Sequence, residues 1–169
     1  MKKIAIIGSG CSGKSTFSQL LGEDLNLLVY LLDKLYWKPG WTKTPNEQWE
    51  QLLINLCKEE HWIIDGNYQS TLDIRLEACD TVIFLDINRF TCIYRAIKRT
   101  LTSRTRVDMG EGCEERLDMG FIKFLWDYPN KTRPIVMNKL NAVMAHKNVI
   151  IAKSGKHASL LCKGLYKKI

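Results

Sequence analysis

The chain has 169 residues, a length that fits one domain with a hydrophobic core of its own. Hydrophobic residues at 46% and charged residues at 25% are ordinary for a globular protein, and no run approaches the roughly 18 apolar residues of a membrane span. The formal net charge of +7 points to an anionic partner, either a nucleotide or a nucleic acid. The six cysteines include no CxxC pair, which argues against a zinc site and for reduced thiols, mostly in the core.

The first predicted element is a strand over Lys3–Ile7. Met1-Lys2-Lys3 followed by an apolar run imitates a secretory leader, but only four apolar residues precede Gly8-Ser9, too few for its hydrophobic region. The expected location is therefore the cytoplasm. Gly8-Ser9-Gly10-Cys11-Ser12-Gly13-Lys14-Ser15-Thr16 then fits the phosphate-loop pattern G-x-x-x-x-G-K-[ST]. Its glycines let the backbone wrap closely enough for several N–H groups to point at one phosphate. Lys14 is expected at the β- and γ-phosphates of ATP, and Ser15 at Mg²⁺. A helix starting near Lys14 adds its positive N-terminus.

A second strand is expected over Leu28–Leu32, and a helix over about 45–60. Thr44 and Glu47 have the spacing of a capping box, and Pro45 suits the first helical position. Trp49, Leu52, Leu53, Leu56 and Cys57 recur at helical spacing and form its buried face. Trp62–Ile64 is the third strand and ends in Asp65, where a carboxylate beside the phosphate loop is placed to hold Mg²⁺. Thr81–Leu85 is the fourth, closed by the rival carboxylate Asp86, which helix capping explains together with Asn88. A helix over 89–101 has Phe90, Ile93, Tyr94, Ile97 and Leu101 as its expected core stripe. At about 100° per residue, Arg95 and Arg99 fall on the other side, toward solvent or a ligand. Residues 102–120 lose periodicity and carry Arg104 and Arg106 among glycines and charges. Helices over about 121–128 and 134–145 and a last strand over Asn148–Ile151 complete a pattern that predicts an α/β fold with a mostly parallel sheet.

The sequence resembles the small kinases of the nucleoside monophosphate kinase fold, and among them the adenylate kinase-related group of DNA topology modulation (FlaR-related) proteins. The resemblance spans nearly the whole chain. It rests on Gly8–Thr16, Leu32-Asp33-Lys34-Leu35-Tyr36-Trp37, Ile63-Ile64-Asp65-Gly66-Asn67-Tyr68, Val82–Asp86, the pair Arg95 and Arg99, and Arg104–Cys113. It implies a three-layer P-loop fold over residues 1–169, with a five-stranded parallel sheet of order 2-3-1-4-5. It also implies an acceptor-binding segment at 33–60 and a short arginine-bearing lid at 102–120. Adenylate kinases follow Asp-Gly with Phe-Pro-Arg and carry another arginine after the second strand; here those places hold Asn67-Tyr68-Gln69 and Asp33-Lys34. The expected activity is transfer of the γ-phosphoryl group of ATP, with Mg²⁺, to a small acceptor held by Asp33, Tyr36, Trp37, Asn67 and Tyr68. Lys14, Arg95, Arg99, Arg104 and Arg106 stabilise charge, Asp65 acts through Mg²⁺, and Arg75 is the candidate substitute for a missing acceptor arginine. The other reading is a nucleotide-dependent regulatory or DNA-binding protein, although no nucleic-acid-binding motif is present. The oligomeric state is left open.

Overall fold

A computed structural model describes residues 1–102, 110, 112, 113 and 118–166. Five parallel strands form the main sheet: β1 (Lys3–Gly8), β2 (Val29–Leu31), β5 (Trp62–Asp65), β6 (Thr81–Leu85) and β7 (Asn148–Ala152). Their order is β2-β5-β1-β6-β7, which is 2-3-1-4-5 when only the strands of this sheet are counted. The three central strands are buried almost throughout, as expected for a parallel sheet covered on both faces. One core layer gathers Ala5, Ile7, Ile64 and Phe84 with Leu53 and Leu140; the other gathers Ile4, Ile6, Ile63 and Ile83 with Phe17 and Cys92.

Between the strands run α1 (Lys14–Leu25), α2 (Leu32–Tyr36), α3 (Asn46–Lys58), α4 (Leu72–Ala78), α5 (Arg89–Leu101) and α6 (Met119–Val143), and α7 (Gly155–Tyr166) follows β7. A small antiparallel hairpin of β3 (Trp37–Lys38) and β4 (Thr42–Lys43) follows α2. No helix among the described residues is long and apolar enough to cross a membrane.

The expected face of α3 is present: Trp49, Leu53, Leu56 and Cys57 are buried. The capping box is not. The Thr44 hydroxyl instead donates to the carbonyl of Tyr36 at 2.7 Å, tying the start of α3 to the end of α2. The two helices expected over 121–128 and 134–145 are a single helix, α6, which carries Pro129 and Pro134 inside it. Each proline removes one backbone donor, but packing of Leu125, Tyr128, Val136 and Leu140 keeps both halves in one continuous helix.

The largest departure is in α5. Most of its apolar stripe faces outward, with Phe90 63%, Tyr94 62%, Ile97 41% and Leu101 79% exposed, while Ile93 packs partly buried against the core. The buried positions are Cys92 and Ala96. Small side chains there let the helix backbone come close to the body, and Arg95 on the adjoining face bonds the phosphate loop. Periodicity found the stripe but not the side on which the partner lies. Stability separates the two faces. Tyr94→Ala is expected to change the unfolding free energy by less than about 0.5 kcal/mol. Ala96→Leu is expected to cost about 1–3 kcal/mol by overpacking. Denaturant titration of the two variants checks this, and the opposite ranking would restore the face inferred from the sequence.

Candidate active site

The phosphate loop leaves β1 at Gly8 and enters α1 at Lys14. Gly13 caps the helix with φ of 92°, left-handed backbone that suits glycine. The Lys14 ammonium is buried and donates to the Ser9 carbonyl at 3.0 Å, so its charge is held at the loop. The hydroxyl oxygens of Ser9 and Ser12 are buried without a hydrogen-bond partner among the described residues. A loop that sequesters a cation and orphan hydroxyls at a helix N-terminus is chemically matched to phosphate oxygens. Ser15 lies in the first turn of α1, and Thr16 beside it is exposed.

Two elements close on this loop from outside. Arg95 of α5 donates from Nη1 to the carbonyls of Ser12 at 2.9 Å and Cys11 at 3.4 Å, which places its guanidinium across the turn. Arg99 follows one turn later on the same helix. From the other side, the Phe121 ring and Leu125 of α6 press on Gly10: a β-carbon there would lie 2.8 Å from Phe121 Cζ and 3.0 Å from Leu125 Cδ2.

Asp65 and Asp86 end the two strands that flank β1. Asp65 is opposite Ile6 and buried. Asp86 does not cap α5; Asn88 does, accepting from the Phe90 N–H at 2.8 Å. Both Asp86 oxygens are taken by cations. Arg133 donates to them from Nε at 2.8 Å and Nη2 at 2.9 Å, and Lys153 Nζ lies 2.7 Å from Oδ2. The bond from Arg133 is the main reason that the Asp86 carboxyl sits below the usual carboxylate range, with Lys153 adding to it against the opposing effect of burial.

Asp33, Tyr36, Trp37 and Tyr68 meet at the same edge of the sheet. The Tyr68 hydroxyl donates to Asp33 Oδ1 at 2.7 Å. Burial first, and then the Asp33 charge, push the Tyr68 hydroxyl far above its ordinary pKa, so it stays a donor. Tyr36, Tyr68 and the buried Trp49 form a triangle of rings with centroids 4.6–4.9 Å apart, and Trp37 stands edge-on to Tyr36 at 5.1 Å. Asn67 adjoins them and accepts from Gln69 Nε2 at 3.3 Å. The tip of the expected lid reaches this segment: Gly40 N–H donates to the Gly112 carbonyl at 3.1 Å, and Cys113 Sγ lies 3.4 Å from the Lys38 carbonyl. Arg104 and Arg106 lie outside the described residues. The last residues of the expected lid, Met119 and Gly120, already belong to α6.

Arg75 is engaged elsewhere. It is fully buried, and it donates to the carbonyls of Gly66 at 2.7 Å, Tyr68 at 2.7 Å and Thr71 at 3.4 Å. Burial pulls its pKa down to about 10, partly opposed by nearby Cys57 and Asp65. Sequence reasoning also missed Phe121, Leu125, Arg133 and Lys153, each of which reaches the edge from far along the chain. Nothing local marks them.

No protein-family model and no curated protein matches the chain. Solved structures do. Shikimate kinase from Aquifex aeolicus is similar at 19% identity and a TM-score of 0.55, covering 98% of this chain and 96% of its own. Deoxyadenosine kinase from M. mycoides with bound dCTP is similar at 15% identity and a TM-score of 0.52, over 97% and 98%. The same kinase with its products dCMP and dCDP gives 15% and 0.53, over 98% and 99%. The fold is thus the P-loop α/β fold of small-molecule kinases.

The Asp86 cluster has a pH signature. A carboxyl whose folded pKa is depressed adds stability that is present above its unfolded value, about 3.9, and is lost as pH falls through the folded value. Arg133→Met should therefore destabilise the protein by about 1–3 kcal/mol near neutral pH. The difference from the wild type should shrink as pH falls below about 4. Thermal melts across pH 2–7 (roughly the range spanning that transition) measure it, and a difference independent of pH would count against the ion pair as its source.

Proposed function

We propose that this protein is an ATP-dependent phosphotransferase that moves the γ-phosphoryl group to a small acceptor, a nucleotide, nucleoside or other hydroxyl compound. The supporting observation is that the phosphate loop and the Asp33–Tyr68 pair follow strands that end on one edge of the sheet, with Asp65 between them in the strand order. Phosphoryl transfer is mostly positioning and charge stabilisation, and that edge collects the groups for both. We place the protein in the cytoplasm, in the adenylate kinase-related DNA topology modulation (FlaR-related) group. We read residues 1–169 as one kinase-like domain, with 33–60 binding the acceptor and 102–120 forming the lid.

In this reading residues 8–16 hold the triphosphate. Lys14 and Arg95 neutralise charge that develops on the transferring group, joined by Arg99 and by the lid arginines Arg104 and Arg106. Ser15 and Asp65 hold Mg²⁺, whose charge offsets that of the phosphates. Asp65 suits this role better than Asp86, whose oxygens are already bound by two cations. Asp33 is half-buried and anchored through one oxygen by a neutral donor, so it accepts hydrogen bonds from a hydroxyl or amino group and repels a phosphate. With Arg75 engaged by backbone carbonyls, no guanidinium fork for a phosphorylated acceptor stands beside Asp33 and Tyr68 among the described residues. AMP is accordingly expected to be a poor acceptor.

A screen of nucleosides, nucleotides and small alcohols for acceptor-dependent conversion of ATP to ADP tests the reading. Lys14→Ala should abolish that turnover while the fold persists, and full activity in the folded variant would refute the phosphate-loop assignment. Asp65→Asn should lower Mg²⁺-dependent turnover more than Asp86→Asn. Asp33→Ala should raise the KM of the acceptor several-fold and leave ATP affinity nearly unchanged. Efficient phosphorylation of AMP, indifferent to Asp33, would instead make the protein a plain adenylate kinase. Tight, salt-dependent DNA binding without any acceptor turnover would favour the regulatory reading.

A further inference from the structure

Arg75 has no place in the scheme above, and its surroundings are unusual. A guanidinium is among the groups least often buried, because it must leave water with its charge. Here it is fully buried and hydrogen-bonded to backbone carbonyls: Nη1 to Gly66, Nη2 to Tyr68 and Nε to Thr71. These three carbonyls belong to one turn of six residues. That turn starts beside Asp65 and carries Tyr68, the residue whose hydroxyl holds Asp33. The turn is also clamped from outside. Gly66 N–H donates to the Ile6 carbonyl at 3.1 Å, and a β-carbon on Gly66 would lie 2.7 Å from Leu32 Cβ, next to Asp33 in the chain.

We propose that Arg75 is a positioning residue that sets Asp65 and the Tyr68–Asp33 pair in fixed relation, by bonding the carbonyls of the turn between them. The inference rests on the phosphotransferase reading of the site. The Gly66 and Tyr68 carbonyls are each met by one arm of a rigid planar fork on a single side chain, and Nε adds a longer bond to the Thr71 carbonyl, at the N-cap of α4. Lysine has a compact ammonium that does not match this fork, and an apolar residue would take away the donors to the Gly66 and Tyr68 carbonyls. A purely structural Arg75 would change stability when replaced and leave the two ends of the turn as they were.

The test uses Arg75→Lys and binding of the non-hydrolysable analogue AMP-PNP by calorimetry, with and without Mg²⁺. The wild type is expected to bind more tightly with Mg²⁺. In Arg75→Lys, affinity without metal should stay within about two-fold, while the gain from Mg²⁺ falls by roughly ten-fold, about 1.4 kcal/mol. Near-ultraviolet circular dichroism from the Tyr36–Trp49–Tyr68 rings should weaken at the same time. A folded Arg75→Lys with the wild-type Mg²⁺ gain and an unchanged aromatic spectrum overturns the inference. A wild type whose AMP-PNP affinity ignores Mg²⁺ overturns the phosphotransferase reading first, and the inference with it. If the variant does not fold, nuclear magnetic resonance of the wild type decides. The Arg75 Nε–H, assigned through the backbone, should exchange slowly and shift when Mg²⁺ joins bound AMP-PNP; an unmoved resonance sinks the proposal.

Discussion

The position of β1 between β5 and β6 constrains nearly everything at the candidate site. Parallel strands end on one edge, so the loops that leave them converge there. The register then fixes which residues meet. Ile6 lies opposite Asp65 on one side, and Gly8 lies opposite Leu85 on the other. The phosphate loop is thereby delivered between two carboxylates, Asp65 and Asp86. Gly8 is pressed so closely to its neighbour that a β-carbon would lie 2.7 Å from the Leu85 carbonyl oxygen. A one-residue slip in either pairing would turn these side chains to the opposite face.

Charges taken out of water at this edge are satisfied in two ways. Asp86 is met by ionic partners, Arg133 and Lys153, drawn from α6 and from the end of β7. Arg75 is met by carbonyls of a single turn. The first arrangement ties distant elements together: Arg133 anchors the middle of α6, whose start rests on Gly10 of the phosphate loop. The second stiffens one short segment. Both leave a well-defined edge, and both cost desolvation that only good geometry offsets.

The aromatic cluster shows how packing and chemistry share side chains. Trp49 is a core residue of α3, yet its ring meets Tyr68, whose hydroxyl holds Asp33. Tyr36 bridges the same core to Trp37 at the rim. Rings arranged edge to face hold one another in place, so the Asp33 carboxylate is carried on a firm platform.

The amino-acid sequence by itself determined the local chemistry. Gly8–Thr16 forms a tight loop around the Lys14 ammonium because of its own glycines and lysine, and the apolar runs form parallel strands because both their faces are buried. The strands at Lys3, Val29, Trp62, Thr81 and Asn148 were legible within a residue or so at either end. So was the gathering of Asp33, Tyr36, Trp37 and Tyr68, which the resemblance implied. Tertiary structure decided what no local pattern holds. The α5 stripe is periodic whichever side packs, and only the small Cys92 and Ala96 against the body, with Arg95 on the loop, settle its direction. Two prolines read as a break in α6, but contacts on both sides of them keep it continuous. Asp86 and Asn88 look alike as caps, and the approach of Arg133 from 47 residues away separates them. Arg75 stands in the sequence as a candidate acceptor arginine, and only the folded turn, with the Gly66 and Tyr68 carbonyls on its guanidinium, supplies a reason to bury it.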